Sequence, residues 1–195
     1  MRLKFWGTRG SLSTIYAPLQ GKYGGNTSCI EVRSECLPTG HHLYIDNGSG
    51  IGWASRIYRR KNGSSTTTLQ THHHLDHLIG FLGTIHAYLM DHDIAIFGPE
   101  EYGMGPREAL AAVMRPPLWP VHFATVASHI QEHRIEVPGT EVIAFHPVMG
   151  RTVVGIEEYQ RRNERGGIPY PGGVVPRNEC LIIKMVRLNH PEKTI

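Results

Sequence analysis

The run Thr71-His-His-His-Leu-Asp-His77 packs four histidines and an aspartate into seven residues. Residues two apart in an extended segment point to the same side, so His72 and His74 can converge on one cation while His73 points elsewhere. Asp76 and His77 stand where the segment is expected to wind into a helix, which turns them toward a second point nearby. Imidazole nitrogens beside a carboxylate suit zinc, with manganese or iron as substitutes. Two such ions, about 4 Å apart, would share a water, lower its pKa and clamp the attacking and leaving oxygens of a displacement. The chemistry expected is therefore hydrolysis. Chance alone gives this spacing in roughly one of a thousand chains of similar histidine content. A purification tag does not explain it, because tags sit at chain ends and lack the following Asp-His pair.

The flanking sequence supplies elements to position such a loop. Ser65 to Gln70, rich in β-branched threonine, reads as a strand that delivers the histidines, and a helix is expected from about His77 to Met90. Leu3 to Phe5, Ser28 to Val32, His42 to Ile45, Ile94 to Phe97, Ile130 to Val137, Val142 to Phe145 and Leu181 to Leu188 read as further strands. Helices are expected after Asp46-Asn-Gly-Ser-Gly50 and over Arg107 to Met114. Strands alternating with helices argue for layered α/β. The stretch from about 147 to 177 mixes glycine, proline and charge without clean periodicity, and reads as a long excursion of the kind that is functional or disordered.

At 195 residues, with 40% hydrophobic and 19% charged residues, the chain fits one globular domain, 1–195. A formal charge of +3 suits an anionic substrate but falls short of a nucleic-acid coat. No apolar run reaches the length of a membrane span. Cys29, Cys36 and Cys180 are not in C-x-x-C spacing and fit free thiols in a reducing cytoplasm.

The histidine run resembles the T-H-x-H-x-D-H motif of the metallo-β-lactamase superfamily. Phe5-Trp-Gly-Thr-Arg-Gly-Ser11, Tyr23-Gly-Gly-Asn-Thr-Ser28 and Tyr44-Ile-Asp-Asn-Gly-Ser-Gly50 are similar to segments of its phosphodiesterase and tRNA 3′-processing branch. Leu188-Asn-His-Pro191 resembles the later segment that supplies another histidine. The resemblance implies an αββα sandwich, with His72, His74 and His190 holding one ion and Asp76 and His77 the second. Asp76 is then the expected catalytic residue as well as a ligand. It also implies that Asp46 is not a ligand but orients the histidine loop; capping the following helix is the alternative. Arg9 and Ser11 are candidates to contact a substrate phosphate from the Gly-rich turn.

The family's bridging aspartate and last histidine have no counterpart, since Asp93 and His190 are the final residues of their types. The sandwich is accordingly expected to be C-terminally incomplete, with an exposed sheet edge that favours a homo-oligomer. His146 is the alternative third ligand. His41 and His42 read as hairpin surface, His86 and His92 as capping or solvent-facing, and His129 as needing no role. The implied activity is hydrolysis of a phosphodiester in a phosphate-containing small molecule or an RNA 3′ end. Hydrolysis of an ester, thioester or lactam, and non-catalytic metal binding, are the competing expectations.

Overall fold

The threonine-rich segment forms the middle of a six-stranded sheet. In the computed structural model, which describes residues 1–16, 21–58, 64–89, 91–136, 139–163 and 166–186, β4 (Ser65–Leu69) lies between β3 (His41–Ile45) and β5 (Asp93–Pro99), parallel to both. Thr66, Thr67 and Thr68 are all buried. A parallel strand covered on both faces needs β-branched side chains at every position, which is why it reads as a run without alternation. β6 (Ile130–Ile135) extends the parallel part, and β2 (Cys29–Arg33) and β1 (Arg2–Gly7) add antiparallel strands on the other side. The sheet order is β1-β2-β3-β4-β5-β6.

Helical elements cover one face. These are α1 (Gly50–Ile57), α2 (Leu75–Leu78), two 3-10 turns at Ile79–Gly83 and Ile85–Tyr88, and α3 (Pro106–Val113). Leu78, Phe81, Leu82, Leu110 and Met114 pack there against Ile94 and Ile96 of β5. The helix expected from about 77 to 90 is thus four α-helical residues followed by 3-10 turns. Close packing explains the break: a Cβ on Gly80 would lie 1.9 Å from the Gly48 carbonyl oxygen, so this segment is seated directly on the loop after β3.

On the opposite face lies a three-stranded antiparallel sheet, β11 (Leu181–Lys184), β7 (Glu141–His146) and β8 (Gly150–Gly155), in that order. Ile143 and Phe145 of β7 meet Leu43, Leu69, Ala95 and Phe97 between the sheets. Its outer face packs on α4 (Ile156–Asn163) and the hairpin of β9 (Gly167–Tyr170) and β10 (Gly173–Pro176), through Val142, Val154, Tyr159, Ile168 and Val175. The stretch 147–177, expected to be an irregular excursion, therefore holds β8 of this sheet, and then the helix and hairpin that cover the sheet's outer face. Among the described residues no helix is long and apolar enough to cross a membrane.

Candidate metal centre at the strand ends

The parallel strands β3, β4 and β5 all point their carboxyl ends at one edge, the place where open α/β sheets gather functional loops. β3 delivers Asp46, β4 delivers Gln70 to His77, and β5 runs through Pro99 to Glu101. Asp46 sits at φ 62, a left-handed conformation that aspartate tolerates better than most residues, and is 3% exposed.

Its carboxylate holds the loop by four contacts. Oδ1 accepts from the Thr71 N–H at 2.9 Å and the Thr71 hydroxyl at 2.8 Å; Oδ2 accepts from Ser28 Oγ at 3.0 Å and from His77 Nδ1 at 2.7 Å. None of these bonds goes to the helix after Asp46, so its side chain is spent on the histidine loop rather than on a cap.

That bonding fixes the protons on two histidines. The carboxylate can only accept, so His77 donates from Nδ1 to Asp46 and turns its Nε2 outward, 3.5 Å from Asp76 Oδ2. The Thr71 hydroxyl spends its single proton on Asp46, and must therefore accept from His72 Nδ1 at 3.1 Å. This leaves the His72 lone pair on Nε2, which lies 3.0 Å from His74 Nδ1. The rings of His72 and His77 are 4.1 Å apart, and those of His72 and His74 4.5 Å apart. Two nitrogens sharing a tetrahedral ion at about 2.05 Å stand roughly 3.3 Å apart, so His72 and His74 fit one zinc with little movement. Burial lowers the pKa of His77, but the Asp46 hydrogen bond and the charges of Asp46 and Asp76 outweigh it and leave the pKa raised.

Asp76 is held from the other side. The backbone N–H of Ser11, itself at φ 63, donates to Asp76 Oδ2 at 2.8 Å. The Gly7–Ser11 turn is thus beside the histidines, although Ser11 reaches them through its backbone and the Arg9 Nε donates to the Leu12 carbonyl at 2.7 Å. His73 points away, with its Nε2–H on the Pro99 carbonyl at 3.0 Å.

Three supporting residues carry no signal in the sequence motif. Gln70, 3% exposed, donates from Nε2 to the carbonyls of His72 and His77 at 2.7 and 2.9 Å. Fully buried Asn47 donates its backbone N–H to the His77 carbonyl at 2.7 Å and its side-chain amide to Gln70 at 3.2 Å. Glu101, 4% exposed, accepts from the His73 N–H at 2.7 Å. A glutamate 28 residues from its partner cannot be paired from sequence spacing.

Among the described residues no group of three or more His, Cys, Asp and Glu side chains is gathered to hold an ion. His190 lies outside the described residues. His146, the alternative third ligand, ends β7 at the opposite edge: its Nδ1 accepts from the N–H groups of Val148 and Met149, and its Nε2 stands 3.6 Å from Glu179.

A second histidine group occupies that opposite edge. His86 and His92, expected to cap or face solvent, are each 2% exposed and stacked at 4.1 Å. His92 bonds Ser64 Oγ at 2.9 Å and Thr66 Oγ1 at 2.8 Å. His42 stacks 5.7 Å from His86, and His129 is buried nearby, so neither His42 nor His129 lies on open surface. Burial, reinforced by the neighbouring rings, pushes His86 down to about 4 and His92 to about 3. They are neutral packing groups.

No family model and no curated protein matches the sequence. Among solved structures, human tRNase Z, short form, is similar with a TM-score of 0.45 at 19% identity. The match covers 80% of this chain, which spans 65% of the length of that protein.

Proposed function

We propose that the protein is a metal-dependent hydrolase of phosphodiester bonds with a metallo-β-lactamase-type arrangement of layers, acting in the cytoplasm on a phosphate-containing small molecule or an RNA end. The observation that carries this reading is the hydrogen-bond network of Asp46, which holds Thr71 and His77 so that His72 Nε2 lies 3.0 Å from His74 Nδ1 and His77 Nε2 lies 3.5 Å from Asp76 Oδ2. His72 and His74 would hold one zinc, with His190 as third ligand, and Asp76 and His77 would begin the second position. Zinc bound there supplies Lewis-acid activation of water and neutralises charge on the phosphoryl oxygens. Asp76, fixed through Oδ2 by the Ser11 N–H, would orient the attacking water and take up its proton on Oδ1. The Gly7–Ser11 turn would meet the substrate phosphate with Arg9 and Ser11.

A second reading, a metal-binding protein without turnover, is favoured by the lack of a third gathered donor among the described residues. Elemental analysis after zinc loading, followed by turnover of bis(p-nitrophenyl) phosphate, separates the two. Bound zinc with chelator-sensitive hydrolysis is the expected result. One tightly held ion without turnover favours the binding protein, and turnover of an ester or thioester in place of the phosphodiester transfers the same site to carboxylic substrates.

A further inference from the structure

Arg151, half-buried, reaches from β8 toward the space between the two sheets. From β8 its Nη1 donates at 3.0 Å to Oγ1 of fully buried Thr67 on β4, and its guanidinium carbon lies 4.9 Å over the Phe97 ring. Among the described residues no carboxylate pairs with it, and burial lowers its pKa with no anionic neighbour opposing. Charged side chains taken into an interior are ordinarily paired. A guanidinium has five N–H donors in a planar fork, and Thr67 accounts for one.

The space beside it is a cavity of about 370 Å³, bordered by His41, Ser65, Asp93, Gln131, Phe145 and Arg151. His41 Nδ1 is 2.7 Å from Ser65 Oγ, and its Nε2 is buried without a hydrogen-bond partner among the described residues. Burial first, and the Arg151 charge second, push His41 down to about 4, so the ring is neutral. Asp93 borders the cavity as an exposed residue and makes no ion pair with Arg151. Arg151 is thus the cation bordering this cavity, and the volume is that of a small-ligand site.

We propose that this inter-sheet cavity binds a small molecule through an oxyanion, a phosphate or carboxylate group seated on the Arg151 fork. The site opens at the amino ends of β3, β4 and β5, the edge opposite the histidine loop, so it does not depend on the metal chemistry. Its two walls belong to different sheets, Ser65 to one and Arg151 to the other, so an occupant clamps the sheets together and stabilises the fold by linkage.

Calorimetric titration of the full chain with inorganic phosphate and, separately, succinate tests this at constant ionic strength held with potassium chloride. Melting temperatures are recorded alongside. One saturable equivalent of one probe is expected, with a rise of roughly 2–4 °C at saturation, and the probe that binds identifies the oxyanion. Arg151→Met should weaken that binding at least about tenfold and, in the absence of anion, melt no lower than the parent. Arg151→Lys, which keeps the charge but loses the fork, should also weaken it and covers the case in which Arg151→Met fails to fold. Binding should persist in His74→Ala. The proposal is overturned if neither probe saturates, if both Arg151 variants bind as the parent does, or if binding vanishes in His74→Ala but survives in Arg151→Met.

Discussion

The same three parallel strands carry histidines at both ends, and the two ends are built on different principles. At the carboxyl end, carboxylates hold the loop: Asp46 takes Thr71 and the His77 ring, Asp76 lies beside His77, and Glu101 takes the His73 backbone N–H. At the amino end, His86 and His92 have hydroxyl partners, Ser64 and Thr66, and neighbouring rings. A carboxylate behind an imidazole pins one proton and turns the other nitrogen's lone pair outward. A hydroxyl can donate or accept and pins nothing by itself. Exposure follows the same division. His74 is exposed and His77 half-buried, whereas His86 and His92 are sealed. The residues behind the rings thus separate a half-exposed, carboxylate-held loop from a sealed set of packing histidines.

The sharpest break in that contrast is Asp46→Ala. It removes four hydrogen bonds from a buried position and leaves Ser28, Thr71 and His77 without their acceptor. A loss of about 3–5 kcal/mol in unfolding free energy is expected, together with a fall in zinc affinity of at least tenfold; chemical denaturation and zinc titration read the two. His92→Ala should separate the ends instead. Stability should fall by about 2–4 kcal/mol, because a sealed ring is lost and the Ser64 and Thr66 hydroxyls lose a partner, while zinc stoichiometry stays that of the parent.

Acid probes the same end without mutation. The unfolded histidines titrate near 6.5, whereas burial holds His86 and His41 near 4 and His92 near 3 in the fold. Between those limits the unfolded chain binds more protons, so stability falls as pH falls from about 6.5 toward 3 and is fully present above the upper limit. With the rings coupled, a loss on the order of 3 kcal/mol is expected over the window. A denaturation midpoint that is flat from pH 7 to 4.5 contradicts it, and His92→Ala should shallow the slope.

The smallest effect tests the proton inventory itself. Thr71→Val keeps the backbone N–H on Asp46 but removes the hydroxyl that ties down His72 Nδ1. Zinc affinity should drop about tenfold with a stability change of roughly 1 kcal/mol. Unchanged affinity would mean that His72 needs no help in presenting Nε2.

Much of the carboxyl end was legible in the sequence because its signals are local. The period-two spacing of His72 and His74, the strand before them and the glycine-bounded Asp46 all sit within short windows; His72 and His74 meet at 3.0 Å and Asp46 bonds Thr71 and His77. What escaped notice depends on distant pairings. His86 and His92 look like surface residues until Ser64 and Thr66, 20 to 28 positions earlier, are seen beneath them. The expected helix after His77 has helical apolar spacing, yet the approach of Gly80 to the Gly48 carbonyl shapes the segment instead. In α4 the inward stripe is little more than Ile156 and Tyr159 among Glu157, Glu158, Arg161 and Arg162, too thin to register as amphipathic, although Tyr159 is fully packed. The Arg151 cavity has no sequence signature, because its walls come from strands that are far apart in the chain.

The central claim is that His72 and His74 present lone pairs to one cation. Anomalous scattering at the zinc edge, from crystals of the full chain soaked in zinc, tests it most directly. A peak about 2 Å from His72 Nε2 and from a ring nitrogen of His74 is predicted, with none beside His86 or His92. A map with no peak between His72 and His74, or with the zinc among the stacked histidines, contradicts the account.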